Sequence, residues 1–502
     1  MLEQFLYNES QPLLFTNGIF WVYFGFLILF YTFNSQKINL RNYCLLAFSI
    51  YFYYLSSGYY FLLLIFSTIV DYFIGGAIFN SSDQKKRKWL VGLSVFVNLS
   101  VLAYFKYAYF FTDLLNTTFL TDLRTTNYLA LGLNSLFGTD ADILKIALPV
   151  GISFYTFQTI SYSVDIYRGD VKPVKNILDF AFFVSFFPQL VAGPIVRASD
   201  FVPQIYKPFK LKEQEYSRAI YLILAGLFKK IVISDYISLN FVDRVFAEPS
   251  SYSGFENLIA TYGYAIQIYC DFSGYTDIAI GVSLLLGFRL PLNFNSPYKA
   301  NSITDFWRRW HISLSTWLRD YLYISMGGNR KGRVKTYIFL FITMFLGGLW
   351  HGANIRFIIW GALHGVALAI HKLWMELIGS KGKKAHPIYN FLMGVLTFHF
   401  VCFCWIFFRA NDMEKVQQVL YQMAFAFHPE LILEMLTGYA KIFAVILLGF
   451  LLHWLPYNWK TDLQNHFRHA PDFAKAMVIV LLALLLFQLK TSESQPFIYF
   501  QF

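Results

Sequence analysis

Charge is what this sequence has least of. Only 14% of its 502 residues are Asp, Glu, Lys or Arg, against about 25% in a soluble chain, so an ordinary water-facing globule is excluded. Cysteine is scarce too. Cys44, Cys270, Cys402 and Cys404 all lie in or beside apolar stretches, which leaves the spacing of neither a disulfide framework nor a zinc site. His399 near Cys402 and Cys404 invites a metal, but a thiol in an apolar run behaves as a small hydrophobe, and no metal is expected. Also missing are a Walker loop, a Gly-rich dinucleotide loop and an H-E-x-x-H phrase, as is a G-x-S-x-G elbow. Residues 1–12 are polar and lack a basic stretch or a small-residue cleavage site, so no signal peptide is read there.

What is present instead is apolar: 57% of residues are hydrophobic and 20% aromatic, led by 56 Phe and 35 Tyr. The lipid bilayer is therefore the expected solvent. A spanning helix needs about 20 mostly apolar residues. Candidates are 13–34, 42–57, 59–80, 89–111, 144–163, 217–240, 257–287, 336–350, 355–372, 389–408, 438–456 and 473–490. Segment 178–196, ending in PQLVAGP, and segment 306–326, too charged to face lipid, suit re-entrant or broken helices buried in protein. The reading is an all-α polytopic membrane protein of roughly 11–13 membrane elements, re-entrant helices included. It forms a single domain over 1–502, without internal repeats.

The net charge of +11 does not call for nucleic acid, because the basic residues cluster between apolar spans as the positive-inside rule requires. Lys85–Lys88, Lys207 with Lys210 and Lys212, Arg330 to Lys335, and Lys381 with Lys383 and Lys384 mark cytoplasmic loops. All share one side only if 178–196 enters and leaves from the cytoplasm. The N-terminus then lies outside, and helix 336–350 runs outward with His351 at its far end.

Two phrases break the apolar pattern: FWRRWHISLSTWLRDYLYISMGGNR, Phe306 to Arg330, and LGGLWHGAN, Leu346 to Asn354. An ionisable side chain at the end of an apolar span is costly unless paired or solvated, and marks a functional site. Imidazole is also the side chain that accepts and returns a proton near neutrality. His351 is accordingly the candidate base, a core histidine satisfied by a carbonyl being the alternative, and Gly347 and Gly348 allow close approach of backbone. Trp307, Trp310, Leu314 and Trp317 keep a helical rhythm, so an interfacial amphipathic helix accounts for the tryptophans and arginines but less well for His311. Asp271 and Asp277, Lys229 and Lys230, and Gln158, Tyr162 and Asp165 together suggest a polar tunnel, although each alone is more often a structural hydrogen bond than a catalytic group. His364 and His371 read as structural.

With GGLWHGAN, IIWGALHG, SFYTFQTISYSVDIYRGD, QLVAGPI, YCDFSGYTDIAIG and PFIYFQF, these phrases resemble the membrane-bound O-acyltransferase family. The likeness is to its bacterial branch acting in alginate and peptidoglycan O-acetylation, and it runs from about residue 10 to the C-terminus. The resemblance implies a ring of tilted helices around a central tunnel. It makes His351 the family's deep histidine, acting as general base, and His311 the second one. Trp310, Asp271 and Asn354 become candidates for lining the tunnel.

No bound cofactor is implied. The donor would be a cytoplasmic thioester such as acetyl-CoA, and the acceptor an extracytoplasmic polysaccharide. An SGNH-type transferase, periplasmic or membrane-anchored, would be the partner, and the bacterial inner membrane the location. The rival readings are a transporter for an acyl or glycan substrate and a non-catalytic scaffold of a polymer-export complex. Polarity concentrated at 265–277 and 305–354 favours a localised reaction site over the transporter, and the intact histidine phrases weigh against the scaffold.

Overall fold

Runs this apolar can satisfy their backbone groups in lipid only by closing hydrogen bonds within the segment. In the computed structural model, which describes residues 5–9, 11–191, 193–378, 386–489 and 497–498, helices supply that closure and no strand forms among the described residues. The elements that frame the site are α1 (Gly18–Asn34), α2 (Ile38–Ser57), α3 (Phe61–Asn80), α4 (Gln84–Phe119), α5 (Ile152–Arg168), α6 (Ile177–Ser185), α7 (Glu213–Leu227), α8 (Gly254–Leu285), α9 (Ile303–Arg309), α10 (Ile312–Trp317), α11 (Arg333–His351), α12 (Ile355–Ile378), α13 (Pro387–Arg409), α14 (Ala440–Trp454) and α15 (Asp472–Leu489). Lys381, Lys383, Lys384 and most of the PFIYFQF tail lie outside the described residues, as do residues 1–4, Ser10 and Ala192.

Among the described residues six helices are long and apolar enough to cross a bilayer, or seven if the pair 429–438 and 440–454, bent by 87°, counts as one span. That is fewer than the twelve stretches read from hydropathy, and the reasons are local. The 42–57 and 59–80 stretches join through a short 3₁₀ turn into one 43-residue unit. α1 and α5 have only 17 residues each. Stretch 217–240 changes from α7 into wider π-helical turns at Phe228–Asp235 and Ser238–Val242. α8 is long enough, at 32 residues, but it is buried along almost its whole length and carries charge inside the protein.

Both segments read as re-entrant double back. Arg168, at the end of α5, donates to the Asp320 carbonyl (3.0 Å), and Arg197 pairs with the Asp320 carboxylate (2.6 Å), so the chain on either side of α6 meets at one place. Tyr206 Oη donates to Asp179 (2.9 Å) close by. Likewise Thr304 Oγ1 meets His371 Nδ1 (2.8 Å), and Asn329 accepts from Lys372 (2.7 Å). Both ends of 304–329 thus lie against the same end of α12. Between them the chain breaks at Trp310–His311, dividing α9 from α10.

Buried charges tie the helices together. Lys229 pairs with Asp277 (2.6 Å), and Lys230 bridges Asp235 (2.8 Å) and Asp271 (2.5 Å), joining the π turn after α7 to α8. Asp71 of α3 accepts from Ser94 (2.5 Å) and Asn98 (2.7 Å) of α4, and Asn98 accepts from Thr159 of α5 (3.0 Å). This network fixes α4 against α5, the two helices that reach the site from one side.

Candidate active site

The site begins at the crossing of α11 and α12. A Cβ on Gly348 would stand 2.3 Å from the Phe357 carbonyl oxygen, and one on Gly361 would stand 2.5 Å from the Met344 carbonyl oxygen. Only hydrogen at both positions permits this approach. It sets His351, in the last turn of α11, against Trp360 of α12, with ring centroids 5.0 Å apart. Trp350 (4.9 Å) and Phe408 (5.1 Å) complete an aromatic wall, and His351 is 4% exposed.

His311 arrives on the re-entrant segment. It occupies the left-handed region (φ 42°, ψ 56°) at the break between α9 and α10, a conformation that costs a residue with a side chain about 1–2 kcal/mol. Asn293 holds it there. Its carbonyl accepts from Ile312 N–H (2.9 Å), and its Oδ1 accepts from Ser313 N–H (3.1 Å) and Ser313 Oγ (2.9 Å) and meets His311 Nδ1 at 3.1 Å. An atom that accepts from a backbone N–H is an oxygen, so in the neutral ring His311 carries its proton on Nδ1 and its lone pair on Nε2. The ring meets Phe272 edge-on (4.6 Å) and lies 6.5 Å from Trp350. Trp350 therefore neighbours both histidines. Phe154 of α5 packs against the same tryptophan, 6.3 Å from His311 and 5.9 Å from Trp350.

A third polar side chain, absent from the sequence reading, enters from α4. Lys106 Nζ donates to the Trp350 carbonyl (2.6 Å), and the neighbouring Tyr107 Oη donates to the Leu349 carbonyl (2.6 Å). Together they grip the last turn of α11. Lys106 and His351 line one cavity of about 50 Å³ together with Trp350, Val191 and residues 148–154. The signal for Lys106 was in the sequence: one lysine inside AYFKYAYF, a charge in an apolar span. Asn293 left no such signal, since an asparagine in a polar loop is unremarkable.

The weaker sequence candidates have other occupations. Trp310 is buried in an aromatic layer with Phe294 (5.1 Å) and Trp405 (5.0 Å). Asp271 takes Lys230 and the Ile498 N–H (3.0 Å), which anchors the tail beside the buried Phe497. Asn354 Oδ1 accepts from Arg356 N–H (3.2 Å) at the start of α12. Asp165 accepts from Tyr321 Oη (2.7 Å), while Gln158 and Tyr162 are buried in α5. His364 Nδ1 accepts from Trp307 Nε1 (3.3 Å). Lys229 pairs with Asp277 and Lys230 with Asp235 and Asp271, while Asp165 is held by a tyrosine hydroxyl. Among the described residues no cluster of His, Cys, Asp and Glu converges as metal ligands. A larger apolar recess of about 640 Å³ between α1, α7 and α15 is lined by neither histidine.

What the arrangement offers is a nitrogen base at a helix end, walled by aromatic rings, with a second histidine held in a defined tautomer nearby. Residues 172–409, which include both histidines, match the membrane-bound O-acyltransferase family. The chain is 37% identical over 504 residues to a probable alginate O-acetylase of Pseudomonas putida, covering 95% of this chain and 97% of that one. A second probable alginate O-acetylase, from Pseudomonas aeruginosa, is 42% identical over 391 residues, 77% of this chain and 70% of the other. The peptidoglycan O-acetyltransferase of Helicobacter pylori is 36% identical over 408 residues, 75% and 72% of the two chains. With likeness that spans nearly its whole length, the chain belongs to the membrane-bound O-acyltransferase family and is a multi-pass membrane O-acyltransferase.

Proposed function

We propose that the protein moves an acetyl group from a cytoplasmic thioester, acetyl-CoA being the donor of choice, to a hydroxyl destined for an extracytoplasmic polysaccharide. The names carried by its relatives, alginate O-acetylase and peptidoglycan O-acetyltransferase, support acetyl as the group and a glycan as the final acceptor. The observation that carries the mechanism is the Trp350 ring, which meets both His311 and His351 although they come from a re-entrant segment and a spanning helix.

His351 would act as general base. It takes the proton of the acceptor hydroxyl as that oxygen attacks the thioester carbonyl, and returns it to the departing thiolate. His311, its tautomer set by Asn293, would orient the reacting groups through Nε2. A partner transferase of the SGNH type would then carry the acetyl group to the polymer, and the bacterial inner membrane is the location that fits such a relay.

The test supplies acetyl-CoA, labelled in the acetyl group, to inverted membrane vesicles containing the full chain, and follows free CoA and transferred label. His351→Ala should lower the rate by about 10²–10⁴ at equal expression and thermal stability. Equal rates in wild type and variant would refute the assignment.

A further inference from the structure

The small cavity beside His351 is lined by Lys106, and no carboxylate lines it among the described residues. Lys106 is partly buried, and among the described residues no carboxylate pairs with it. One of its three N–H groups is used on the Trp350 carbonyl. Across the cavity stands the amino end of α5, where the first backbone N–H groups of a helix lack intrahelical partners and carry partial positive charge. Ile152, Phe154 and Tyr155 find acceptors at Pro149 and Gly151. Ser153, which lines the cavity and is 8% exposed, makes no hydrogen bond among the described residues through its N–H or its Oγ. The turn is fixed in place: Gly151 has φ 73°, and a Cβ there would lie 2.2 Å from the Leu190 carbonyl oxygen.

Size narrows what can enter. At one water-sized group per 10–15 Å³ of such space, a cavity of about 50 Å³ admits some three to five heavy atoms. An acetyl group has three. Direction agrees as well. The basic starts of α4 and α11 face the cytoplasm by the positive-inside rule. Lys106 lies 22 residues along α4, about 33 Å, and His351 lies 18 residues along α11, about 27 Å, so the cavity belongs to the outer half. The leading end of a thioester threading in from the cytoplasm is its acyl group, which is the part that would meet this cavity.

We propose that this cavity is the acyl site, that its volume selects a two-carbon group, and that Lys106 is a catalytic residue. Its Nζ, with the Ser153 N–H and Oγ, takes the acyl oxygen as negative charge develops on it. This rests on the reading of His351 as the base. The acceptor oxygen forms its bond to the acyl carbon while its proton passes to His351, and the carbonyl π electrons move onto the oxygen facing Lys106. Collapse re-forms the carbonyl and breaks the C–S bond, and the thiolate leaves with the proton from His351.

The test uses inverted vesicles holding the full chain, with acetyl-CoA and propionyl-CoA as donors and His351→Ala beside wild type. Lys106→Met should lower kcat by about 10²–10³ with KM for acetyl-CoA within a few-fold of wild type. Ser153→Ala should lower kcat by a smaller factor. Val191→Ala, which enlarges the cavity, should raise the propionyl-to-acetyl ratio of kcat/KM about tenfold or more, the scale at which one methylene is discriminated.

Wild-type kcat in Lys106→Met would overturn the proposal, as would loss confined to KM. Should Lys106→Met lose thermal stability, Ser153→Ala and Val191→Ala decide: unchanged kcat in the first together with an unchanged ratio in the second overturns it. His351→Ala turning over like wild type would instead remove the general-base reading and this proposal with it. A dead His351→Ala beside a fully active Lys106→Met would sink the acyl-site proposal alone.

Discussion

Asn293 and His364 show how differently two buried polar residues of this site region act. Asn293 gathers the backbone after His311, the Ser313 hydroxyl and the imidazole Nδ1 on one residue, so it sets both a strained backbone and a tautomer. Asn293→Ala should lower kcat by up to about 10²-fold, the loss that a 1 Å misplacement of a catalytic group can bring. Combined with His311→Ala it should add little, because both act through one ring. Full additivity in that double variant would refute the coupling. His364 instead accepts one long bond from Trp307. His364→Gln should cost about 1 kcal/mol of stability and leave kcat within about threefold, checked by thermal unfolding and turnover on the same preparation. The sequence made both principal histidines legible, because an imidazole in an apolar phrase stands out. Lys106 was overlooked, although it stands out for the same reason. Asn293 could not be found, since its role exists only where the re-entrant segment folds back upon it.

At the scale of helices, what hydropathy could not see was where charge is spent inside the protein. Lys229 with Asp277 and Lys230 with Asp271 are pairs that clamp α8 to the π turn after α7. Lys230→Met would leave the buried Asp271 and the half-buried Asp235 without their cation, a change worth about 3–5 kcal/mol. The triple change Lys230→Met, Asp235→Asn, Asp271→Asn should recover much of that loss. A Lys230→Met protein that unfolds at the wild-type temperature would show that the clamp contributes nothing. The α11–α12 crossing gives a sharper expectation. Gly361→Val places a branched side chain where the Met344 carbonyl and Gly348 already touch, so the helices must separate and carry His351 away from Trp360. Turnover and thermal stability should fall together, whereas Lys106→Met is expected to lower turnover alone. The GG pair before WHG advertised such an approach in the sequence. The breaks at Trp310–His311 and after α7 did not show, because π turns and left-handed residues follow from packing rather than from local propensity.

For the whole molecule, the membrane class followed from composition, the doubling back of 306–326 from charge that lipid could not accept, and that of 178–196 from its PQLVAGP end and the side on which the basic loops fall. The number of spans did not, since helices such as α8 are apolar because the protein surrounds them, and hydropathy cannot distinguish that from lipid. Orientation remains the property on which the chemistry depends most. If the ends of α4 and α11 that carry Lys86 and Arg333 face the cytoplasm, the loop after α4 faces outward and a thioester reaches His351 from the basic side. Leu120, 92% exposed in that loop, and Lys86, exposed at the opposite end of α4, lie 34 residues apart, about 51 Å along a helix. That distance exceeds the roughly 40–45 Å thickness of a whole bilayer. Leu120→Cys should therefore react with a membrane-impermeant maleimide in intact cells, and Lys86→Cys only in inverted vesicles, with the parent chain as background for its own cysteines. The reverse pattern would put Lys106 and the acyl cavity on the cytoplasmic side, where acetyl-CoA could reach them without crossing anything. The protein would then acylate a cytoplasmic acceptor instead of passing the group outward.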